Sequence, residues 1–451
     1  MIPVLTPAEM GAVDAAAPEP AEALVRRAAS AVARAALELL GQGYGRRVVI
    51  VAGPGNNGWD GRVAGELLRA SGAAVTVIDA LAAPEVLPRS DLVIDAAFGT
   101  GFRGEYVFPA TDGAPVLAVD IPSGVSGLTG RSSGAPARAV ATVSFAALKP
   151  GLVLGDGPSY SGRVDVADIG LDVHDVAAAH LVEPSDVMSW IPDREIDDHK
   201  WRHAVWCVAG SPGMSGAAFL CAAAALRGGA GYVRLSTPGD PDPRAPIESV
   251  VHPVGEHGWA AEVLAAAERF AAVAVGPGLG GSEVTGAEVR DLVGHLEVPV
   301  VIDGDGLAAL GADPADVLDG RTAPTVLTPH DGEFERLTGT APGEDRIAAA
   351  RSLASRTGAT VLLKGPTTVV AGPDGAALLV RAGDQRLATA GTGDVLTGLV
   401  AAHLALGAAP LHAAAAAAQV HGGAASMGPA RGLVASDLID LVPRYWRTLT
   451  D

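Results

Sequence analysis

The chain has 451 residues and a mass of 45.1 kDa, with 49% hydrophobic, 18% charged and only 4% aromatic side chains. That length suits two or three domains with cores of their own, and the hydrophobic share excludes a largely disordered chain. The 32 basic and 51 acidic residues leave a formal charge of −19, which argues against nucleic acid or an anionic membrane as partner. Two cysteines, Cys207 and Cys221, make no disulfide framework. The start, MIPVLTPAEM, lacks the basic and apolar segments of a signal peptide, and the alanine run at 413–418 is too short to span a bilayer. A soluble, cytoplasmic protein is expected. Lysine occurs 3 times against 29 arginines, and the only two asparagines are adjacent, Asn56 and Asn57. Residues retained against such a bias are candidates for positions where no substitute serves.

Apolar, β-branched runs alternate with Ala/Leu-rich helical stretches along the chain. The predicted strands of the first half lie at 48–53, 74–79, 91–99, 115–124 and 141–148. Those of the second half lie at 205–211, 271–280, 299–307, 325–330 and 360–365. Continuous apolar runs ending in Gly, Asp or Pro are the pattern of parallel sheets covered on both faces. The fold class is therefore α/β with two domains, 1–180 and 181–451, separated by a polar stretch at 172–203. In open parallel sheets ligands sit beyond the carboxyl ends of the strands, so the strand-end loops carry the functional reading.

In the first half the loop GPGNNGWDG, 53–61, follows a strand and opens a helix. Its glycines are expected to turn the chain sharply and expose consecutive N–H groups to an anionic oxygen such as a pyrophosphate. A tight strand-to-helix turn is the alternative. The loop also holds both asparagines and Asp60, and Asp95, Asp120 and Ser123 stand at further strand ends.

In this order GPGNNGWDG, DAAFGTGFRGE, VDIPSG and FAALKPG resemble the NAD(P)H-hydrate epimerase family over residues 1–175. The resemblance implies a Rossmann-like doubly wound domain that inverts the hydroxyl-bearing C6 of NAD(P)HX, the hydrated nicotinamide cofactor. It implies substrate contacts from Asn56, Asn57, Gly58, Trp59, Asp60, Gly99, Thr100, Gly101, Phe102, Arg103, Gly104, Glu105 and Asp120. It also implies a potassium ion on Asn57, Asp95 and Ser123, a donor set of neutral and carboxylate oxygens. Asp120 is the expected acid/base at the hydroxylated carbon, with substrate orientation as its alternative role. Lys149, a retained lysine, is either a structural contact or catalytic. Two positions depart from the family: Trp59 stands where a second glycine is usual, and LVRRAASAV replaces a Met/Glu/Ala-Gly pattern.

In the second half TAGTGDVLTG, 389–398, leads into an Ala/Leu-rich helix. Backbone N–H groups at that helix start can stabilise charge on a transferring phosphoryl group, and Asp394 can accept a proton from the attacking hydroxyl. A plain helix cap explains Gly-Thr-Gly-Asp equally well. LLKGPTTVV offers Lys364 and the hydroxyls of Thr367 and Thr368 to a nucleotide, and no Walker-type GxxxxGK[ST] is present.

With GSPGMSGAA, GPGLG, VIDGDGL and LTPHDGEFERL, these motifs resemble the ADP-dependent (S)-NAD(P)H-hydrate dehydratases of the ribokinase-like fold, from about residue 185 to Trp446. The resemblance implies phosphorylation of the C6 hydroxyl by ADP, giving AMP, and then loss of phosphate to restore NAD(P)H, with magnesium accompanying the nucleotide. Ala217, Gly280, His330 and Asp394 would contact the hydrate. Lys364, Gly365, Pro366, Thr367, Thr368 and Gly393 would meet the nucleotide, and Asp394 would be the base. His330 is alternatively a buried, satisfied histidine, and Asp303 and Asp305 carry no assignment. The expected partners are NADHX or NADPHX and ADP, with the chain as a homo-oligomer. The alternative is a ribokinase-like sugar or vitamin-precursor kinase with a non-catalytic binding or scaffold domain in front.

Overall fold

In the computed structural model, which describes residues 1–450, the chain divides into two units, Ile2–Ala179 and the remainder from His180. The first contains helices α1 (Pro7–Ala16) and α2 (Ala21–Leu40), strand β1 (Arg47–Ala52), helix α3 (Asn56–Ala70) and strand β2 (Ala74–Asp79). Strands β3 (Leu92–Ala96), β4 (Val116–Val119), β5 (Ala141–Phe145) and β6 (Arg163–Ala167) follow. They form a sheet in the order β2-β1-β3-β4-β5-β6, parallel throughout. The strands β3, β4 and β5 are buried at every residue, which is why they read as continuous apolar runs. Strand β6 lies at the edge and mixes Arg163 and Asp165 with valines, so its pattern escapes prediction.

From β1 the chain winds outward to β2, then returns past β1 to lay down β3 and its successors. The order thus reverses between β1 and β3, and loops 53–57 and 97–102 flank the crevice that results. The glycines of the first loop act differently from expectation. None of Gly53, Gly55, Gly58 and Gly61 has a positive φ. A Cβ on Gly53 would strike the Ala97 carbonyl, one on Gly58 the Gly53 carbonyl, and one on Gly61 the Ala96 side chain. Close packing of the first turn of α3 on β1 and β3 is what requires them. Gly55 caps α3 without a side-chain bond, which leaves the helix's first N–H groups to a ligand.

The second unit carries β7 (Ala204–Val208), α4 (Ser215–Arg227), β8 (Tyr232–Ser236), β9 (Val250–Val251), β10 (Ala272–Val275) and β11 (Val300–Ile302). Then come α5 (Asp305–Leu310), β12 (Thr325–Leu327), α6 (Asp331–Thr338), α7 (Arg346–Thr357) and β13 (Thr360–Leu363). Strands β14 (Thr368–Ala371) and β15 (Ala377–Val380) precede helices α8 (Thr392–Ala405), α9 (Pro410–Ser426) and α10 (Ala435–Thr450). Nine consecutive strands of its 11-stranded sheet run β15-β14-β13-β12-β11-β10-β7-β8-β9. They are parallel from β9 to β13, as the runs read from sequence predict, and antiparallel from β13 to β15, the last two strands lying beyond those runs. The turn at 364–367 is too short for a parallel crossover, so the chain can only fold back as a hairpin.

Helix α8 is buried almost end to end against α4 and α9. Small residues permit the approach: Gly398 lies against the Cys221 carbonyl of α4, and Ala413 to Ala417 of α9 are fully buried. The scarcity of aromatics in the composition is thus a packing solution. No described helix is long and apolar enough to cross a membrane.

Candidate active sites

The crevice of the first unit opens into a cavity of about 700 Å³. Asn56, Asn57, Trp59 and Asp60 reach it from α3, and Gly99, Thr100, Gly101 and Phe102 from the loop after β3. Asp120 and Lys149 form part of its wall, and Asp14 of α1 faces them. Of the other anticipated contacts, Gly58 packs beneath the turn, while Arg103, Gly104 and Glu105 do not line the cavity. Arg103 instead donates to the carbonyls of Thr100 and Phe102, at 3.2 and 2.9 Å.

Asp120 has φ +64, a left-handed conformation unusual outside glycine, at the turn after β4. Its Oδ1 lies 2.6 Å from Lys149 Nζ. Lys149 is 1% exposed and also donates to Ser144 Oγ at 3.1 Å and the Phe145 carbonyl at 2.9 Å. The retained lysine is therefore the counter-ion of the candidate acid/base, a role its place in the sequence did not single out. Asp60 is buried too, but no side chain or backbone group among the described residues donates to its carboxyl. Burial, then the Asp120 and Asp14 carboxylates, push its pKa up to about 8.

Asp95, next to last in β3, is wholly buried and does not line the cavity. It accepts from Ser123 Oγ at 2.5 Å, Ser123 N at 2.8 Å and Ala97 N at 3.2 Å. Burial raises its pKa to about 6 against those bonds. Ser123 Oγ also accepts from Phe98 N at 2.8 Å, and a Cβ on Gly99 would lie 3.6 Å from Asn57 Cβ. Of the three expected potassium ligands, Asp95 and Ser123 are bonded to each other, and Asn57 packs against Gly99 in the loop that follows Asp95. The Asn57 amide nitrogen is buried without a partner. A buried carboxylate lacking a basic neighbour, a serine hydroxyl and an amide suit a weakly hydrated cation.

In the second unit Asp394 sits in the first turn of α8, after Gly391 in a left-handed conformation at φ +90. Burial, with the Asp303 and Asp305 charges opposing Lys364, raises its pKa to about 6. Lys364 Nζ contacts Asp303 Oδ1 at 2.8 Å and Glu333 Oε2 at 3.4 Å, and Thr397 Oγ1 donates to Asp303 Oδ2 at 2.7 Å. Burial would raise Asp303, but the Lys364 charge and the hydrogen bonds outweigh it and hold the carboxylate below its usual range. Asp303 therefore locks Lys364 to α8 across the sheet, and sequence reading left it without a role. Asp305 accepts from Gly280 N at 2.8 Å and so fixes the loop of a predicted hydrate contact. The signal was the pair of aspartates at a strand end, VIDGDGL.

His330 is not the buried histidine of the alternative reading. Its side chain is half exposed, and Nδ1 caps α6 by accepting from Gly332 N at 3.0 Å and Glu333 N at 3.3 Å. Ala217 packs beside Gly278, and Met214, one turn before it, reaches Gly280. Gly393 brings its Cα side within reach of both Asp303 and Lys364. Gly365, Pro366 and Thr367 form the turn into Thr368, and Arg346 fixes it by donating to the Lys364 carbonyl at 2.7 Å.

A family model described as NAD(P)H-hydrate dehydratase matches residues 205–444, and one described as YjeF-related protein N-terminus matches 21–89 and 78–151. The chain is 41% identical to the bifunctional NAD(P)H-hydrate repair enzyme Nnr of Mycobacterium tuberculosis, covering 86% of this chain and 85% of the relative. To the enzyme of that name from Moorella thermoacetica it is 36% identical, covering 99% and 97%. Among solved structures, an ADP/ATP-dependent NAD(P)H-hydrate dehydratase from Bacillus subtilis, crystallised with ATP and magnesium, superimposes with a TM-score of 0.53. It is 31% identical and covers 59% of this chain and 97% of its own.

Proposed function

The chain belongs to the bifunctional NAD(P)H-hydrate repair enzymes, and from that membership we propose that its first unit interconverts the R and S epimers of NAD(P)HX while its second dehydrates the S epimer. The observation that carries this reading is a pair of separate acid/base centres, Asp120 with Lys149 and Asp394 with Lys364.

In the first unit the N–H groups at the start of α3 receive the pyrophosphate, and Asp120 stands at the hydroxylated carbon. Asn57, Asp95 and Ser123 would hold potassium, which offsets the charge of the dinucleotide beside an acidic wall. In the second unit the C6 hydroxyl loses its proton to Asp394 and attacks the terminal phosphoryl group of ADP, releasing AMP. Lys364 and the N–H groups at the start of α8 stabilise the charge on the transferring group. The C6–O bond then breaks with its electrons going to phosphate, a proton leaves C5, and the double bond of NAD(P)H is restored. Magnesium accompanying the nucleotide would neutralise charge on the transferring group. The domain assignment follows: 1–180 epimerase, 181–451 dehydratase.

Product stoichiometry tests the proposal. S-NADHX with ADP should give NADH, AMP and phosphate in equal amounts, followed by absorbance and phosphorus NMR. A stable phosphorylated product without NADH would instead make the second unit a small-molecule kinase.

A further inference from the structure

Four carboxyl groups line the cavity of the first unit, those of Asp14, Glu19, Asp60 and Asp120. Asp120 is held by the Lys149 ammonium at 2.6 Å. Asp60, on the first turn of α3, faces the same cavity with no cation of its own. Arg62 on the same helix is committed to the Gly53 carbonyl at 2.8 Å, so it supplies none. Across the cavity α1 presents Asp14, and Glu19, which also lines the wall, is paired with Arg27 at 2.8 Å. Like charges in one desolvated space do not all ionise, and the carboxyl without a counter-ion is the one that keeps its proton.

We propose that Asp60 is a second catalytic residue of the epimerase, the protonated carboxyl that gives a proton to the departing C6 hydroxyl while Asp120 takes one from the incoming water. This rests on the first unit being the epimerase. The carbon carries both a hydroxyl and the ring nitrogen, so the nitrogen lone pair can expel the hydroxyl. The C6–O bond breaks, its electrons and the Asp60 proton leave as water, and a C6=N1 iminium remains. Water then adds to the opposite face as Asp120 accepts its proton. Transfer from Asp120 back to Asp60, through solvent in the cavity, restores the starting state, so atoms and charge balance. The direction of the Asp60 shift agrees with a group that keeps its proton at neutral pH.

The test is the pH profile of epimerisation in the full-length protein, with dehydration of the S epimer as a check of folding. Wild type should lose kcat/KM as pH rises through about 8, because the acid must be protonated. Asp60→Asn should lower the rate roughly a hundredfold or more and abolish that alkaline fall. Asp14→Asn, which removes a like charge from the far wall, should move the fall to lower pH. An Asp60→Asn protein with the wild-type rate, or with the same alkaline fall, would overturn the proposal. A wild-type protein that inverts neither epimer at any pH would overturn the epimerase assignment itself.

Discussion

Asp394, the proposed proton acceptor of the dehydratase, is tuned by its surroundings. Burial and the Asp303 carboxylate bring Asp394 up to about 6, so it is ionised at neutral pH yet basic enough to take a proton from a hydroxyl. The sign follows directly: the active form is the carboxylate, so dehydration should fall as pH drops below about 6 while binding of AMP changes little. Asp394→Asn should abolish dehydration and leave epimerisation intact; near-normal dehydration in that variant would remove Asp394 as base. Potassium supplies a second prediction. Asp95→Asn keeps the shape but removes a charge beside Ser123, so the epimerase should need more potassium and show a raised KM. A titration with potassium against sodium on both proteins measures it, and equal responses would exclude Asp95 as a ligand. At this scale the sequence displayed the residues at strand ends, because burial and loop position mark them. It did not display the pairs, since Lys149 with Asp120 and Lys364 with Asp303 are joined only by the fold.

Among the elements, α3 and its preceding turn show a glycine-rich loop whose glycines answer to packing rather than to turn conformation. The glycines of GPGNNGWDG are expected from sequence to turn the chain sharply and expose consecutive N–H groups, but backbone dihedrals are ordinary there and approach distance is the constraint. Gly58→Ala should therefore destabilise the first unit and abolish epimerisation, because its Cβ meets fixed backbone, whereas Gly55→Ala should be tolerated, since nothing lies within 4 Å. Thermal melts of both variants with epimerase assays check this. Helices α8 and α9 make a different case. His403 is fully buried between them, with Nδ1 at 3.2 Å from the Ala413 carbonyl, and burial lowers its pKa to about 4. Below the ordinary value of 6.5 the unfolded chain takes up a proton that the folded one refuses, so stability is lost as pH falls from 6.5 toward 4. The loss from this residue is about 2 kcal/mol at pH 5. His403→Gln should reduce the fall in denaturant stability between pH 7 and pH 5, and an unchanged fall would refute the burial argument. The strands β14 and β15 are not among the runs read from sequence, and the short turns before and between them make their pairing antiparallel.

For the whole molecule, two chemically distinct units on one chain make sense if the second accepts a single epimer. The R form then reaches NAD(P)H only after inversion by the first unit. The alternation of apolar strands and helical stretches made both units readable as α/β from sequence, and the strand-end motifs separated their chemistries. The most direct measurement follows pure R-NADHX with ADP on wild type, Asp120→Asn and Asp394→Asn. Wild type should yield NADH. Asp120→Asn should leave R-NADHX unconverted beyond its spontaneous inversion, yet still turn S-NADHX into NADH. Asp394→Asn should equilibrate R and S without forming NADH. Rapid NADH from R-NADHX in the folded Asp120→Asn protein, or loss of both activities in either variant, would contradict two independent sites acting in sequence.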